Sequence, residues 1–267
     1  MARILTGIAL AIAITSLLDG TGFSVYSALP LIPLFGIFAW LDRLTMRELG
    51  FSLGRIRLYG LALAHPVFVI GLLATAARVI GAADVAALNA TKAALNVAIV
   101  SVATFVVAIV TEEGFFRGWL WAALARKGAA PLSILAASTV AFVAWHISFV
   151  FLSGDFHFAP AQIPVFFVNA TLLGMIWGLL RFGSGSILVS SAGHGLWNGL
   201  TYVLFGVGSG IGALGVKDSG MFGPEVGMLG ACLNALALTL LVILFRERLF
   251  GYSARGAHNQ LDFEAMR

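Results

Sequence analysis

Two adjacent carboxylates, Glu112 and Glu113, close an apolar run from Ala93 to Val110 whose only polar side chains are Asn96, Ser101 and Thr104. A charge at membrane depth costs at least about 2.5–3.5 kcal/mol on insertion scales, so a pair of them needs a physical reason. Residues four apart share a helix face, so Glu113 and Arg117 can pair and neutralise one carboxylate. Glu112 projects about 100° away from Glu113 and has no local partner. An unpaired carboxylate in a low-dielectric site raises its pKa or finds a metal or a distant partner. For Glu113 and Arg117 the plain alternative is a structural pair that locks helices together.

Two further polar clusters fall inside apolar segments. Phe142-Val143-Ala144-Trp145-His146 carries one histidine, which taken alone reads as a hydrogen-bonded core residue as readily as a ligand. His194-Gly195-Leu196-Trp197-Asn198 puts His194 and Asn198 on one face, with Gly193, Gly195 and Gly199 around them. Small residues let helices approach closely and leave room for a cavity. Two histidines and a carboxylate form a water-activating set. Glu112, His146 and His194 can hold a divalent ion, zinc for example, and lower the pKa of its bound water. Alternatively Glu112 and a histidine deprotonate water directly. Asn198 and Arg117 are then candidates to stabilise an oxyanion. Either route ends in hydrolysis of an amide. There is no Gly-x-Ser-x-Gly elbow, no His-Glu-x-x-His and no Gly-rich phosphate loop.

The elements that must position these groups are apolar spans. The chain has 267 residues, 60% hydrophobic and 10% charged, with mean hydropathy +0.99. Soluble domains carry roughly 25% charged residues, so this is an all-α, polytopic membrane protein. Eight spans are expected, at about Ile4–Leu18, Phe23–Leu41, Leu58–Ile80, Ala93–Leu124, Pro131–Leu152, Ile163–Phe182, Ile187–Val207 and Val226–Phe245. They are expected to surround an intramembrane polar cavity. The first reads as a retained helix, because no small-residue cleavage site follows and Asp19-Gly20 looks like a turn. Residues 1–250 read as one transmembrane domain and 251–267 as a polar cytoplasmic tail. Cys232, the one cysteine, allows no intrachain disulfide and reads as a packed small residue.

With eight spans and a cytoplasmic N-terminus, twelve basic residues fall inside: Arg3, Arg43, Arg47, Arg55, Arg57, Arg126, Lys127, Arg181, Arg246, Arg248, Arg255 and Arg267. Three fall outside: Arg78, Lys92 and Lys217. That asymmetry puts both termini in the cytoplasm. The net charge of +4 is thereby read as topology signalling, and nucleic acid is not an expected partner. Leu41–Arg57 reads either as an amphipathic surface segment or as a solvated basic loop, and Gly206–Gly223 as a flexible outer loop. By depth, Glu112, His146 and His194 can share the middle to cytoplasmic half of the bilayer. His65, His157 and His258 do not join them.

Glu112-Glu113-x-x-x-Arg117, Phe142-x-x-x-His146 and His194-x-x-x-Asn198, in that order, resemble the motif series of the CAAX-protease and bacteriocin-processing family, called CPBP or Abi intramembrane metalloproteases. The resemblance covers about residues 93–202 and departs from the pattern at no motif position. It implies an eight-helix fold with a cavity open to the cytoplasmic side. It makes Glu112 the glutamate that activates water, Glu113 and Arg117 its supporting pair, and His146 and His194 the groups that bind or orient that water or a metal. Asn198 becomes the oxyanion stabiliser. Family members are described both as zinc enzymes and as metal-free glutamate proteases, so both remain open. The implied partner, besides the bilayer, is a peptide or protein: a CAAX-type chain, prenylated or not, or a bacteriocin-like peptide. The implied place is a bacterial inner membrane. The alternative is a non-catalytic transport or adaptor protein that uses the same polar groups as a relay or as glue.

Overall fold

In hydrocarbon each backbone N–H and C=O must be bonded within the chain, which leaves the helix as the solution for these apolar spans. The computed structural model describes residues 1–86, 88–154, 158–207 and 210–254, with side chains to residue 250. His157, His258 and the tail beyond residue 254 lie outside the described residues. The helices are α1 (Ala2–Gly20), α2 (Leu31–Leu41) after a 3-10 turn at Ser24–Tyr26, α3 (Arg57–Val79) and α4 (Ala90–Val110). A π-helical segment, Glu113–Leu120, leads into α5 (Trp121–Arg126). There follow α6 (Pro131–Trp145), α7 (Ile147–Leu152), α8 (Gln162–Ser184), α9 (Ile187–Leu204), the short α10 (Ser219–Phe222) and α11 (Met228–Ala254). Among the described residues the one strand-like feature is an isolated antiparallel bridge between Ala83 and Val216.

Seven of these helical stretches are long and apolar enough to cross a membrane. The chain is an integral, multi-pass, all-α membrane protein. The eighth expected span is α9. It is long enough, but its composition is diluted by Ser190, Ser191, His194, Asn198 and Thr201. Those side chains are buried, with α9 lying against α3 and α4 rather than facing lipid. An inner helix can carry polar groups because protein surrounds it. Gly195 permits the close approach to α4, since a Cβ there would sit 2.6 Å from the Ser101 carbonyl oxygen and 2.8 Å from the Phe105 nitrogen.

The Leu41–Arg57 connection, expected either as an amphipathic surface segment or as a solvated basic loop, forms turns rather than a helix. It is clasped to the bundle at the basic end. Arg126 bonds both Glu48 oxygens, at 2.6 and 2.7 Å, and donates to the carbonyls of Asp42 and Arg43. Arg3 pairs with Asp42, whose other oxygen accepts from the Trp119 indole. Arg181 is buried and donates to the carbonyls of Arg117 and Glu48, so it is a strap rather than a loop charge. At the opposite end, the described part of the Gly206–Gly223 loop is tied to the loop after α3, through Lys217 N–H to the Ala82 carbonyl (2.9 Å) and Asp84 N–H to the Gly215 carbonyl (3.2 Å). Cys232 is exposed on α11, not packed. That helix runs past Phe245 and into the stretch read as tail.

Candidate active site

The site begins where α4 stops being an α-helix. Thr111 leaves helical geometry (φ −106°, ψ −107°) and the chain resumes as a π-helix from Glu113. Wide turns of this kind inside helices recur at functional positions because they re-aim side chains. Gly114 makes the turn possible, since a Cβ there would lie 2.5 Å from the Ile109 carbonyl oxygen. The outcome is a division of labour between the two carboxylates. Glu113 turns inward and is fully buried, 3.4 Å from Arg117 Nη1 and 3.2 Å from His194 Nδ1. Glu112 is only partly buried and makes no hydrogen bond or ion pair among the described residues.

Arg117 is as buried as its partner. Its Nη2 donates to the Gly174 carbonyl at 3.2 Å, and the guanidinium lies 4.3 Å from the centre of the Phe142 ring. These contacts and the facing Glu113 offset part of the cost of burying a cation, although Nε makes no hydrogen bond among the described residues. Neither Glu113 nor Arg117 lines the cavity described next, so the structure does not bring Arg117 to where an oxyanion would form.

His146 sits at the break between α6 and α7. Its Nδ1 lies 2.8 Å from the Phe142 carbonyl. A carbonyl only accepts, so Nδ1 carries the proton and Nε2 keeps its lone pair. His194 is held in the same way, with Nδ1 against the Glu113 carboxylate and its ring stacked 3.9 Å from Trp177. Glu113 therefore acts through His194, fixing its tautomer and its plane.

Glu112, His146, His194 and Asn198 line one cavity of about 80 Å³. By the measure of roughly 10–15 Å³ per water, it holds several. Four of the six residues singled out from the sequence thus meet in one place, across three separate elements. The lining also includes residues that sequence reasoning missed: Asn169, Trp177, Tyr202 and Glu225. Glu225 gave little signal, standing beside Gly223-Pro224 just ahead of the last span, where an acid ordinarily faces water. In the structure the segment dips inward. Asn169 Nδ2 donates to the Glu225 carbonyl (3.0 Å) and Trp197 Nε1 to its Oε1 (3.2 Å). Asn169 is in turn held by Asn234, and Asn234 by His65, which stacks on Trp197. His65 is thus a core residue of this network. Burial pushes the Glu225 carboxyl up from its ordinary range, the Trp197 N–H and His194 draw it back, and the charge of Glu112 adds to the upward push.

The cavity runs from Glu112 and His194 toward Tyr202, Phe166 and Glu225, away from the basic end. On the basic side of Glu112 the space is filled by Phe115, Phe116, Trp119 and Leu120, each 1% exposed or less. This differs from the opening toward the basic side that the resemblance implied. The aromatic π segment closes that end.

The histidine tautomers suit a metal, because each ring has a fixed partner on Nδ1 and a free Nε2. The placement does not suit one. Among the described residues no group of three or more His, Cys, Asp or Glu side chains is gathered closely enough to hold an ion, the expected Glu112, His146 and His194 included.

The three motifs, in order and in one cavity, lie within a stretch that matches a known family model, the type II CAAX prenyl endopeptidase Rce1-like model, over residues 94–200. Over residues 94–200 the chain is similar to that family. No curated protein and no solved structure matches the chain at a significant level. The family segment runs from α4 to α9 and so contains each motif residue, while α1–α3, the Glu225 segment and α11 lie outside it. The cavity wall at Glu225 therefore comes from outside the matched stretch.

Proposed function

We propose that this protein is an intramembrane endopeptidase that hydrolyses a peptide bond with a water activated by Glu112 and His146. The family assignment supports a CAAX-type endopeptidase. The observation that carries the roles is the convergence of Glu112, His146, His194 and Asn198 on one cavity with room for several waters. Glu112 is the base: it makes no hydrogen bond or ion pair among the described residues, so an acceptor oxygen is available for a water proton. His146 Nε2 orients the same water. As water adds to the carbonyl carbon, the amide of Asn198 donates to the oxygen that becomes negative. His194, held by Glu113, presents its ring beside that oxygen.

The substrate is a peptide or protein that reaches the cavity from the bilayer, a CAAX-type or bacteriocin-like chain. We assign the protein to a bacterial inner membrane with both termini cytoplasmic, on the basic-residue asymmetry. A transporter would need a polar path through both ends of the bundle, and the packed π segment speaks against one. The test uses the full chain in lipid nanodiscs with a farnesylated CAAX peptide, its unmodified twin and a bacteriocin-leader peptide. Cleavage by the wild type and its loss in Glu112→Gln, with the fold intact, is expected. Full activity in Glu112→Gln would overturn the assignment of roles.

A further inference from the structure

Glu225 is a carboxylic residue drawn into the bundle from a loop, and the reading above gives it nothing to do. Its position is built. The backbone carbonyl is fixed by Asn169, whose own oxygen is fixed by Asn234, and one side-chain oxygen is fixed by Trp197. The other side-chain oxygen makes no hydrogen bond among the described residues, on a side chain that lines the Glu112 cavity. A loop acid with no task would turn to the nearby water instead of entering a cavity that already holds a carboxylate.

The groups around that cavity decide its form. Glu112 faces it from ahead of the π segment, His146 from the α6–α7 break, Asn169 from α8, and His194, Asn198 and Tyr202 from α9. None is a lysine or an arginine, and among the described residues Glu225 makes no ion pair, so two carboxylates in one small cavity do not both ionise cheaply. Paired carboxylates whose surroundings differ divide acid and base roles between them.

We propose that Glu225 is the second catalytic carboxyl of this site, donating a proton to the departing amine while Glu112 takes one from water. The proposal rests on the hydrolase reading. The step balances. The water oxygen bonds to the carbonyl carbon and its proton goes to Glu112. The C–N bond then breaks, its electron pair stays on nitrogen, and nitrogen takes the Glu225 proton. The products are a carboxylic acid and an amine. The proton left on Glu112 returns to Glu225 through water in the cavity, restoring both groups. Burial raises the Glu225 carboxyl above its ordinary range against the pull of the Trp197 N–H and of His194, and the charge of Glu112 adds to the rise.

The experiment has two readouts on the full chain in nanodiscs. Infrared spectroscopy reads the carbonyl stretch of a protonated carboxyl in wild type, E112Q and E225Q at neutral pH. Peptidase assays read kcat and KM on the same proteins. Gln at 225 still accepts from Trp197, so E225Q keeps the loop in place. A band present in wild type and E112Q and missing in E225Q is expected, together with a kcat in E225Q lower by about 10²–10⁴-fold. Unchanged thermal stability of E225Q supports the role by excluding a folding cause. A spectrum in which E225Q removes no band overturns the proposal. Cleavage lost in E112Q but retained in E225Q overturns it too, and leaves the hydrolase reading standing. A wild type that cleaves none of the three peptides overturns that reading, and the proposal with it.

Discussion

Arg117→Ala should unfold this protein well before it tells anything about catalysis. Arg117 is 0% exposed and faces an equally buried Glu113 across 3.4 Å. Removing the cation leaves a carboxylate in a place that water cannot reach, with Glu113 Oε2 already lacking a partner. Breaking a buried pair from one side costs about 3–5 kcal/mol. The bond to the Gly174 carbonyl and the contact with Phe142 go as well, while His194 offsets part of the loss by remaining beside Glu113. Against a total stability of about 5–15 kcal/mol, a loss of that size is severe. At roughly 2–4 °C per kcal/mol for a chain of this length, Tm falls by about 6–20 °C. The assay is thermal unfolding in detergent, followed by tryptophan fluorescence and by recovery of monodisperse protein. A paired variant separates charge from packing. Glu113→Gln with Arg117→Met removes both charges, keeps an acceptor for His194 Nδ1 and fills the guanidinium's space. It should recover most of the lost stability. A Tm of Arg117→Ala within 2 °C of wild type, a margin of about 1 kcal/mol, or a double variant no better than the single one, would refute the reasoning.

Glu112→Gln should behave in the opposite way. It has no bonded partner to lose, so stability should stay within about 0.5 kcal/mol while turnover disappears, read by Tm and peptide cleavage side by side. Gly195→Ala should cost about 1–3 kcal/mol by forcing a Cβ into the α4 backbone, whereas Gly71→Ala, with open space around it, should be neutral or mildly stabilising in the same assay. Arg126 holds the Glu48 carboxyl down at about 2, below the ordinary carboxylate range. A depressed pKa means that the clasp is at full strength above the ordinary range and loosens as pH falls toward 2. Proteolysis between residues 42 and 56 should rise over that interval, by a modest factor because the pair is partly exposed, and Arg126→Met should show the raised cleavage at neutral pH already. A chelator should leave peptidase activity within about twofold, because the side-chain placement provides no three-donor site among the described residues. Activity abolished by chelation and restored by zinc would show that the cavity reorganises around a metal.

What the sequence determined by itself was everything that local chemistry and periodicity control. Apolar runs of spanning length force helices, since lipid offers the backbone no other partner. The four-residue spacing of Glu113 and Arg117 made their pairing expected, and the glycines around His194 foretold the tight packing of α9 on α4. The three motifs led to four side chains that share a cavity. What only the tertiary structure decided was direction and company. The π turn at Glu113 sends Glu112 to the cavity and buries Glu113 and Arg117 beneath it, a choice set by Gly114 meeting the Ile109 carbonyl. The low hydropathy of α9 is tolerable because other helices wrap it, which composition cannot foretell. Arg181 reads as one more basic charge on the inner side and Leu41–Arg57 as either an amphipathic surface segment or a solvated basic loop, yet Arg181 donates to the carbonyls of Arg117 and Glu48, the second within that loop. Glu225 is the extreme case. Nothing within ten residues of it marks a cavity wall, and it becomes one because Asn169 and Trp197, 56 and 28 residues away, hold it there.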